Sequence, residues 1–458
     1  MKYFLILISY IMFTACNKND FLDTNPDPSL VVPSTLADYQ AILNNDLTMN
    51  GEAGSGLVPA LGEIGADNYY ITFDFYNGYL TPLSRRAYVW DKNVFENEQV
   101  YDWNIPYQSV NRANIVLDGL AALHVKAEDQ AAYNTAKGAA LFYRAHLFYQ
   151  LAQIFAKPYN ADSAVLWLGI PLRLTSSLHE TLTRATLQAT YDKIIADLKT
   201  AADLLPPFQS YQTQPGKIAC YALLARTYLT MQDYDNALVY SDSCLQYKNE
   251  LMDYNNIDPN SYYPFAVFNT EDIFQCEMIK APGYLPINPN YAYADSALYK
   301  LYSDNDLRKA LFFNPKAAGF CFTGSYSGYN KLFAGIAADE IYLIRAESKA
   351  RKGDDVEALT DLNTLLQKRY ISGTFIPYTV ANTTNVLDLI LTERRKELCF
   401  RGLRWTDLRR LNQEGKNIIL QRNLNGTIYT LPPNDNRYVY PIPQPVIDIN
   451  PAILQNAR

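Results

Sequence analysis

Apolar positions recur at helical spacing through most of this chain. Tyr107, Val110, Ala113, Asn114, Leu117 and Leu120 share one face and predict a helix over about 101–123. Leu36, Tyr39, Ile42 and Leu43 predict an earlier one, with Ser34 or Thr35 as its cap. Residues 50–100 break the pattern. Periodicity is weak there and aromatics are dense: Tyr69, Tyr70, Phe73, Phe75, Tyr76, Tyr79, Tyr88, Trp90 and Phe95, with a turn signal at Asn77-Gly78. Residues 250–335 break it again. They hold Pro259, Pro264, Pro282, Pro286, Pro289 and Pro315 among many aromatics. That stretch is too long for a plain connector and predicts an insertion of loops, short strands and short helices. A helix-rich part follows from about 385 to 411, and 420–458 reads as extended and proline-punctuated.

Between these stretches a pattern repeats. Tyr221, Leu224, Ala225 and Tyr228 are followed by Ala237, Ser241 and Cys244 across the turn Gln232-Asp233-Tyr234-Asp235. Tyr342, Arg345, Ala346 and Lys349 are followed, at the same spacing, by Ala358, Leu362 and Leu365 across Lys352-Gly353-Asp354-Asp355. A third copy starts at Leu141, Arg144, Ala145 and Phe148. Its partner helix is displaced to about 191–205 by an insertion with Pro158, Pro171 and an extended piece, Leu168 to Leu174. Small residues fall where two helices cross closely. Each pair has apolar faces that it cannot bury alone, and stacking buries them. The pattern resembles the tetratricopeptide hairpin. The expected fold is mostly α, a tetratricopeptide-like hairpin scaffold near 136–205, 216–247 and 338–369, with a loop-rich mixed insertion near 250–335.

The N-terminus carries a separate signal. Tyr3 to Phe13 is an apolar run with one polar residue, Ser9, preceded by Lys2. It is too short to span a bilayer and has the form of a secretory signal. Phe13-Thr14-Ala15-Cys16 ends it like a lipoprotein cleavage site, with Phe13 where leucine is usual. The expectation is a signal peptide over 1–15, lipid on Cys16, a tether over 16–34 containing Pro26, Pro28 and Pro33, and a single domain over 35–458.

Composition then narrows the function. A net charge of −7 with no basic block argues against nucleic acid. Cys220, Cys244, Cys276, Cys321 and Cys399 show no CxxC spacing, and the three histidines, His124, His146 and His179, are scattered. No metal site or cofactor is expected. Tyrosine stands out, with 37 Tyr against 20 Phe and 4 Trp. Its apolar face and polar tip suit half-buried surfaces and carbohydrate or peptide ligands.

The C-terminal run Glu393-Arg394-Arg395-Lys396-Glu397-Leu398-Cys399-Phe400-Arg401-Gly402-Leu403-Arg404-Trp405-Thr406-Asp407-Leu408-Arg409-Arg410 and the closing Tyr440-Pro441-Ile442-Pro443-Gln444 carry a family resemblance. So do Glu340 to Glu347, the Ser303 to Arg308 turn, and Phe21-Leu22-Asp23 after the lipidation signal. The chain resembles the SusD/RagB family of surface nutrient-binding lipoproteins over essentially its whole length. The resemblance implies a SusD-like fold and a place on the outer face of the outer membrane. It also implies a TonB-dependent, SusC-like transporter as partner, oligosaccharide or peptide as ligand, and neither catalysis nor cofactor. From the residues alone, Glu393 and Glu397 sit one helical turn apart like an acid–base pair. Arg394, Arg395 and Arg401 beside them should lower their pKa values, the wrong direction for a general acid.

A sugar site needs flat apolar rings with amides, carboxylates or arginines around them. Two regions offer both. One runs from Asp67 and Asn68 to Trp90. The other holds Tyr284, Asn288, Asn290, Tyr291 and Tyr293, with Tyr326 and Tyr329 in a Gly/Ser-rich loop. Tyr69, Tyr76, Trp90, Tyr291 and Tyr326 are the candidate contacts. The competing reading is a helical-repeat scaffold lipoprotein without a small ligand. A glycosidase is a third, with no carboxylate pair that points to it.

Overall fold

A computed structural model of the chain describes residues 33–51, 54–96, 98–177, 180, 182–281 and 291–458. Cys16 and its signal, and Tyr284, Asn288 and Asn290, lie outside the described residues.

Among the described residues, nine long helices form the scaffold: α1 (Tyr101–Ala122), α2 (Gln130–Phe155), α3 (Leu187–Leu204), α4 (Lys217–Thr230), α5 (Tyr234–Leu245), α6 (Ala338–Arg351), α7 (Asp355–Leu366), α8 (Val386–Glu397) and α9 (Arg404–Gln413). From α1 to α7 each packs on the next, and α8 closes the row against α6 and α7. The pairs α2/α3, α4/α5 and α6/α7 are the tetratricopeptide-like hairpins. Helix α2 is buried on nearly every side from Ala136 to Phe155, because α1 and α3 flank it.

The repeat has physical content at three points. Ala225, Ala237, Ala346 and Ala358 are fully buried, so small side chains let the helices of a pair approach. Each turn ends its first helix with a left-handed residue, Gln232 (φ 62°) or Gly353 (φ 84°). The N–H groups of Asp233 and Asp354 then reach back to the carbonyls of Tyr228 (2.9 Å) and Lys349 (3.0 Å). Arginine at one repeat position pairs bidentately with aspartate on the second helix. Arg144 meets Asp197 at 2.8 and 3.0 Å, and Arg345 meets Asp361 at 2.9 and 2.6 Å. Leu224 takes the arginine's place in the middle hairpin.

The insertion returns to this scaffold. Its strand Asp272–Phe274 pairs with Ile336–Ala337 at the start of α6. Thr35, not Ser34, caps the first helix, Leu36–Leu43. Its hydroxyl accepts from Asp38 N–H while the Asp38 carboxylate accepts from Thr35 N–H.

The C-terminal region is more ordered than its prolines suggest. Leu420–Leu424 and Thr427–Leu431 form a hairpin about Asn425-Gly426, both at positive φ, and Gln444–Ile449 is helical. Asn-Gly is the strongest short hairpin signal, and it outweighs the surrounding loop character.

Candidate ligand-binding surface

Four short strands set the site beside the scaffold: β1 (Tyr69–Ile71), β2 (Ala292–Ala294), β3 (Phe313–Lys316) and β4 (Gly319–Phe322). β1 and β2 are antiparallel, with Tyr70 opposite Tyr293 and those rings 5.5 Å apart. Alternation along β1 turns Tyr69 and Ile71 inward and leaves Tyr70 outward. The Tyr70 hydroxyl donates to the Ala318 carbonyl, 2.8 Å away in the β3–β4 turn. A Cβ at Gly319 would come within 2.8 Å of that hydroxyl and 3.1 Å of the Tyr293 ring, so the close approach requires glycine.

Thr72 caps the helix Phe73–Gly78 through its hydroxyl, which accepts from Phe75 N–H at 3.3 Å. Phe75 and Tyr79, four residues apart, share a face of it. Tyr291, just before β2, stacks on both. Phe75–Tyr291 centroids are 4.8 Å apart at 11°, Tyr79–Tyr291 5.6 Å at 17°, and Phe75–Tyr79 5.5 Å at 20°. Tyr79 is 64% exposed and Tyr291 40%, while Phe75 is buried beneath them. The result is a shelf of nearly parallel rings. Its rim carries exposed Asp74 and Asn77, with Arg85 donating to the Asn77 carbonyl at 3.3 Å.

Of the five aromatic candidates, Tyr291 is the one on this shelf. Tyr76 is partly exposed and packs on Tyr88 at 6.1 Å, outside the stack. Tyr69, Trp90 and Tyr326 are corrections, because all three are buried. Tyr69 donates to the Ile64 carbonyl and the Trp90 indole N–H donates to the Gly65 carbonyl, at 3.1 and 2.9 Å. Both rings, with Tyr88, surround the Arg422 guanidinium at 5.2, 5.3 and 4.2 Å. Tyr326 lies under Arg401 at 4.1 Å and donates to the Glu271 carboxylate at 2.8 Å. None of these faces can meet a ligand. Tyr79 and Tyr70 take their place, with Phe75 as the buried base of the stack, and the i, i+4 spacing of Phe75 and Tyr79 was the signal available for it.

Residues 20–229 match a family model described as SusD-like, starch-binding and associating with the outer membrane. Residues 338–458 match the SusD family model. The chain belongs to the SusD/RagB family. A SusD-like protein P2 of Formosa agariphila is 23% identical over 419 residues, 77% of this chain and 79% of that one. Among solved structures, a SusD superfamily protein from Bacteroides thetaiotaomicron superposes with a TM-score of 0.76 at 23% identity, covering 93% of this chain and all of that one. A putative sugar-binding protein from Bacteroides vulgatus gives 0.75 at 21%, covering 93% and 99%. A surface glycan-binding protein A from Bacteroides uniformis gives 0.68 at 19%, covering 92% and 99%.

The SusD-type C-terminal run is interior. Glu347 holds Arg410 at 2.5 and 2.8 Å and Arg351 at 2.9 Å, and Asp407 holds Arg394 and Arg410 at 3.0 and 2.9 Å. Arg404 and Arg395 clamp Asp67, at the root of β1. Burial alone would raise Asp67, but the two guanidiniums overcome it and hold the carboxyl well below the usual range. The motif thus positions the strand that carries Tyr70.

Glu393 and Glu397 are equally buried and ion-paired. Their partners are Arg308 and Arg369 rather than the arginines adjacent in sequence. Burial works to raise Glu397, and Arg369 and Arg308, with Arg401 as expected from the sequence, hold it below the ordinary value. Neither carboxylate reaches a cleft, so the pair offers no acid–base chemistry. Glu271, Asp339 and Glu397 bring three carboxylate oxygens within 4.8 Å of one another. Arg369 and Arg401 already occupy those carboxylates, at 2.7 Å to Glu271, 2.7 Å to Glu397 and 2.8 Å to Asp339. Guanidiniums supply the positive charge where a cation would sit, so the cluster does not fit a metal.

Proposed function

We propose that this protein captures oligosaccharides on the Phe75–Tyr79–Tyr291 shelf and hands them to a TonB-dependent, SusC-like transporter. The observation that carries the reading is the stack itself. Large rings in water are unfavourable unless something covers them, and Tyr79 and Tyr291, exposed and nearly parallel over the buried Phe75, present the flat apolar face that a sugar's C–H surface matches. The starch-binding, outer-membrane description of the matching family model supports the same class of ligand and place. Among the described residues no helix is long and apolar enough to cross a membrane. Attachment through lipid on Cys16 supplies the anchor in this reading, and Cys16→Ser should release the protein from membrane fractions. A peptide ligand is the alternative cargo. A scaffold without a ligand leaves the exposed stack without a purpose.

Neutral oligosaccharides, maltooligosaccharides among them, and peptides should be arrayed on the soluble chain. Longer oligomers should bind better than monosaccharides, without turnover. Tyr79→Ala with Tyr291→Ala should weaken binding by about tenfold or more, roughly 1.4 kcal/mol, and leave unfolding unchanged. Unaltered affinity in the folded double variant refutes the shelf. Cleavage of the ligand by purified protein restores the enzyme reading.

A further inference from the structure

A second cleft, of about 720 Å³, opens between α1, the segment around Pro171–Arg173 and the C-terminal helix, and shares no residue with the shelf. Trp103 and Tyr107 contribute ring surface to it, with centroids 4.7 Å apart, and Trp103 is braced edge-on against Phe155 at 4.9 Å. The facing wall is fastened to α1 by its main chain. Tyr107 donates to the Pro171 carbonyl at 2.8 Å, and Asn114 donates to the carbonyls of Arg173 and Thr175 at 2.9 and 3.2 Å. The Asp118 carboxylate accepts from the Ser176 N–H and hydroxyl, both at 2.7 Å. The cleft is therefore formed before anything enters it.

Its arginines are unlike most others in this protein. Arg144, Arg226, Arg308, Arg369, Arg401, Arg404 and Arg410 each meet a carboxylate. Arg184, Arg409 and Arg422 spend their N–H groups on main-chain carbonyls. Arg112 and Arg173 line the cleft and make no ion pair among the described residues; the one carboxylate in the lining, Glu180, accepts from the Thr175 hydroxyl at 3.0 Å. Arg112 donates to the Ser109 hydroxyl at 3.2 Å, and Arg173 to the Ser177 carbonyl. The Arg173 Nε is buried without a partner, and so is the Oδ1 of Asn111, which also lines the cleft. Burial pulls the Arg112 pKa down, as expected for a cation removed from water with no anion to offset it.

We propose that this cleft is a second saccharide site, selective for sugars that carry a carboxylate or sulfate. The two guanidinium forks take the anion, the Asn111 Oδ1 accepts from a neighbouring hydroxyl, and Tyr107 and Ile115, backed by the buried Trp103, cover the apolar ring face. A neutral sugar leaves both arginines unanswered. The site stands apart from the shelf and does not depend on it.

Calorimetric titration of the full chain with trigalacturonate, with a sulfated galactose disaccharide and with neutral galactotriose tests this. At least one anionic probe should bind, weakening as salt rises, while galactotriose should not enter the cleft. Binding of trigalacturonate alone assigns carboxylate, and binding of the disaccharide alone assigns sulfate. Arg112→Gln with Arg173→Gln should reduce the affinity about tenfold or more, and Tyr79→Ala with Tyr291→Ala should leave it unchanged. Asn111→Asp, which adds a negative charge without removing an arginine, should abolish anion binding and serves if the double arginine variant does not fold. The proposal is overturned if neither anionic probe binds. It is equally overturned if affinity survives both cleft variants, or if the loss follows the shelf tyrosines instead.

Discussion

Arg308→Met puts a number on the buried charge network. Arg308 is fully buried and holds Asp306 at 2.7 Å, Glu393 at 2.6 Å and Glu397 at 2.9 Å. Lys396 also meets Asp306 and Glu393, at 2.9 and 2.7 Å, and Arg369 meets Glu397 at 2.7 Å. Methionine fills similar volume but removes the cation from the centre. The carboxylates are then left in excess, and the folded state relieves this by taking up a proton. Protonating one carboxylate with an unfolded pKa near 4 costs about 5 kcal/mol at about pH 7.5 and about 1.4 kcal/mol at about pH 5. The expected loss is therefore ~5 kcal/mol at the higher pH, in line with removing one partner of a buried pair, and shrinks several-fold at the lower. Urea unfolding followed by tryptophan fluorescence at both pH values measures it. Lys309→Met is the control. Its pair with Asp304 is 2.6 Å long, but Asp304 is fully exposed, so no measurable loss is expected. A loss for Arg308→Met below about 1 kcal/mol at about pH 7.5, or the same loss at both pH values, refutes the reasoning.

Two further outcomes follow from the scaffold. Gln232 sits at φ 62° where the other hairpin has Gly353, so Gln232→Gly should stabilise by roughly 0.5–1 kcal/mol in urea unfolding, and a destabilisation contradicts the shared turn. His146 is buried on α2 between Phe142 and Phe274, and burial, with Arg226 nearby, pushes its pKa down to about 3. The unfolded chain then binds a proton below about pH 6.5 that the folded one refuses. His146 thus subtracts stability as pH falls, by roughly 1.4 kcal/mol per unit below about 6. In His146→Phe the stability difference from the parent should grow in the variant's favour between about pH 6 and pH 4, and a pH-independent difference contradicts the neutral buried imidazole.

The scaffold was legible because its signals are local. A repeat of large residues at 3.6 spacing, alanines at crossings and an Asp after a turn act within some thirty residues. The Phe75–Tyr79 face is of the same kind, and it lies on the shelf. The aspartates that answer the repeat arginines, Asp197 and Asp361, sit on the partner helix in register, yet they read as ordinary solvated charges until the helices pack.

Which tyrosines face water was not local. Tyr69 and Tyr70 differ by one residue, and in a strand one residue reverses the face. The choice is made by Arg422, more than three hundred residues on, whose guanidinium draws Tyr69, Tyr88 and Trp90 around itself and donates to the Tyr69 carbonyl at 2.5 Å. Arg401 does the same to Tyr326. A buried guanidinium needs aromatic faces or oxygens on every side, and it takes them from wherever the chain passes. The sequence by itself determined the helical frame and the supply of rings. The tertiary structure decided which rings would neutralise buried charge and which, left over, would form the exposed shelf.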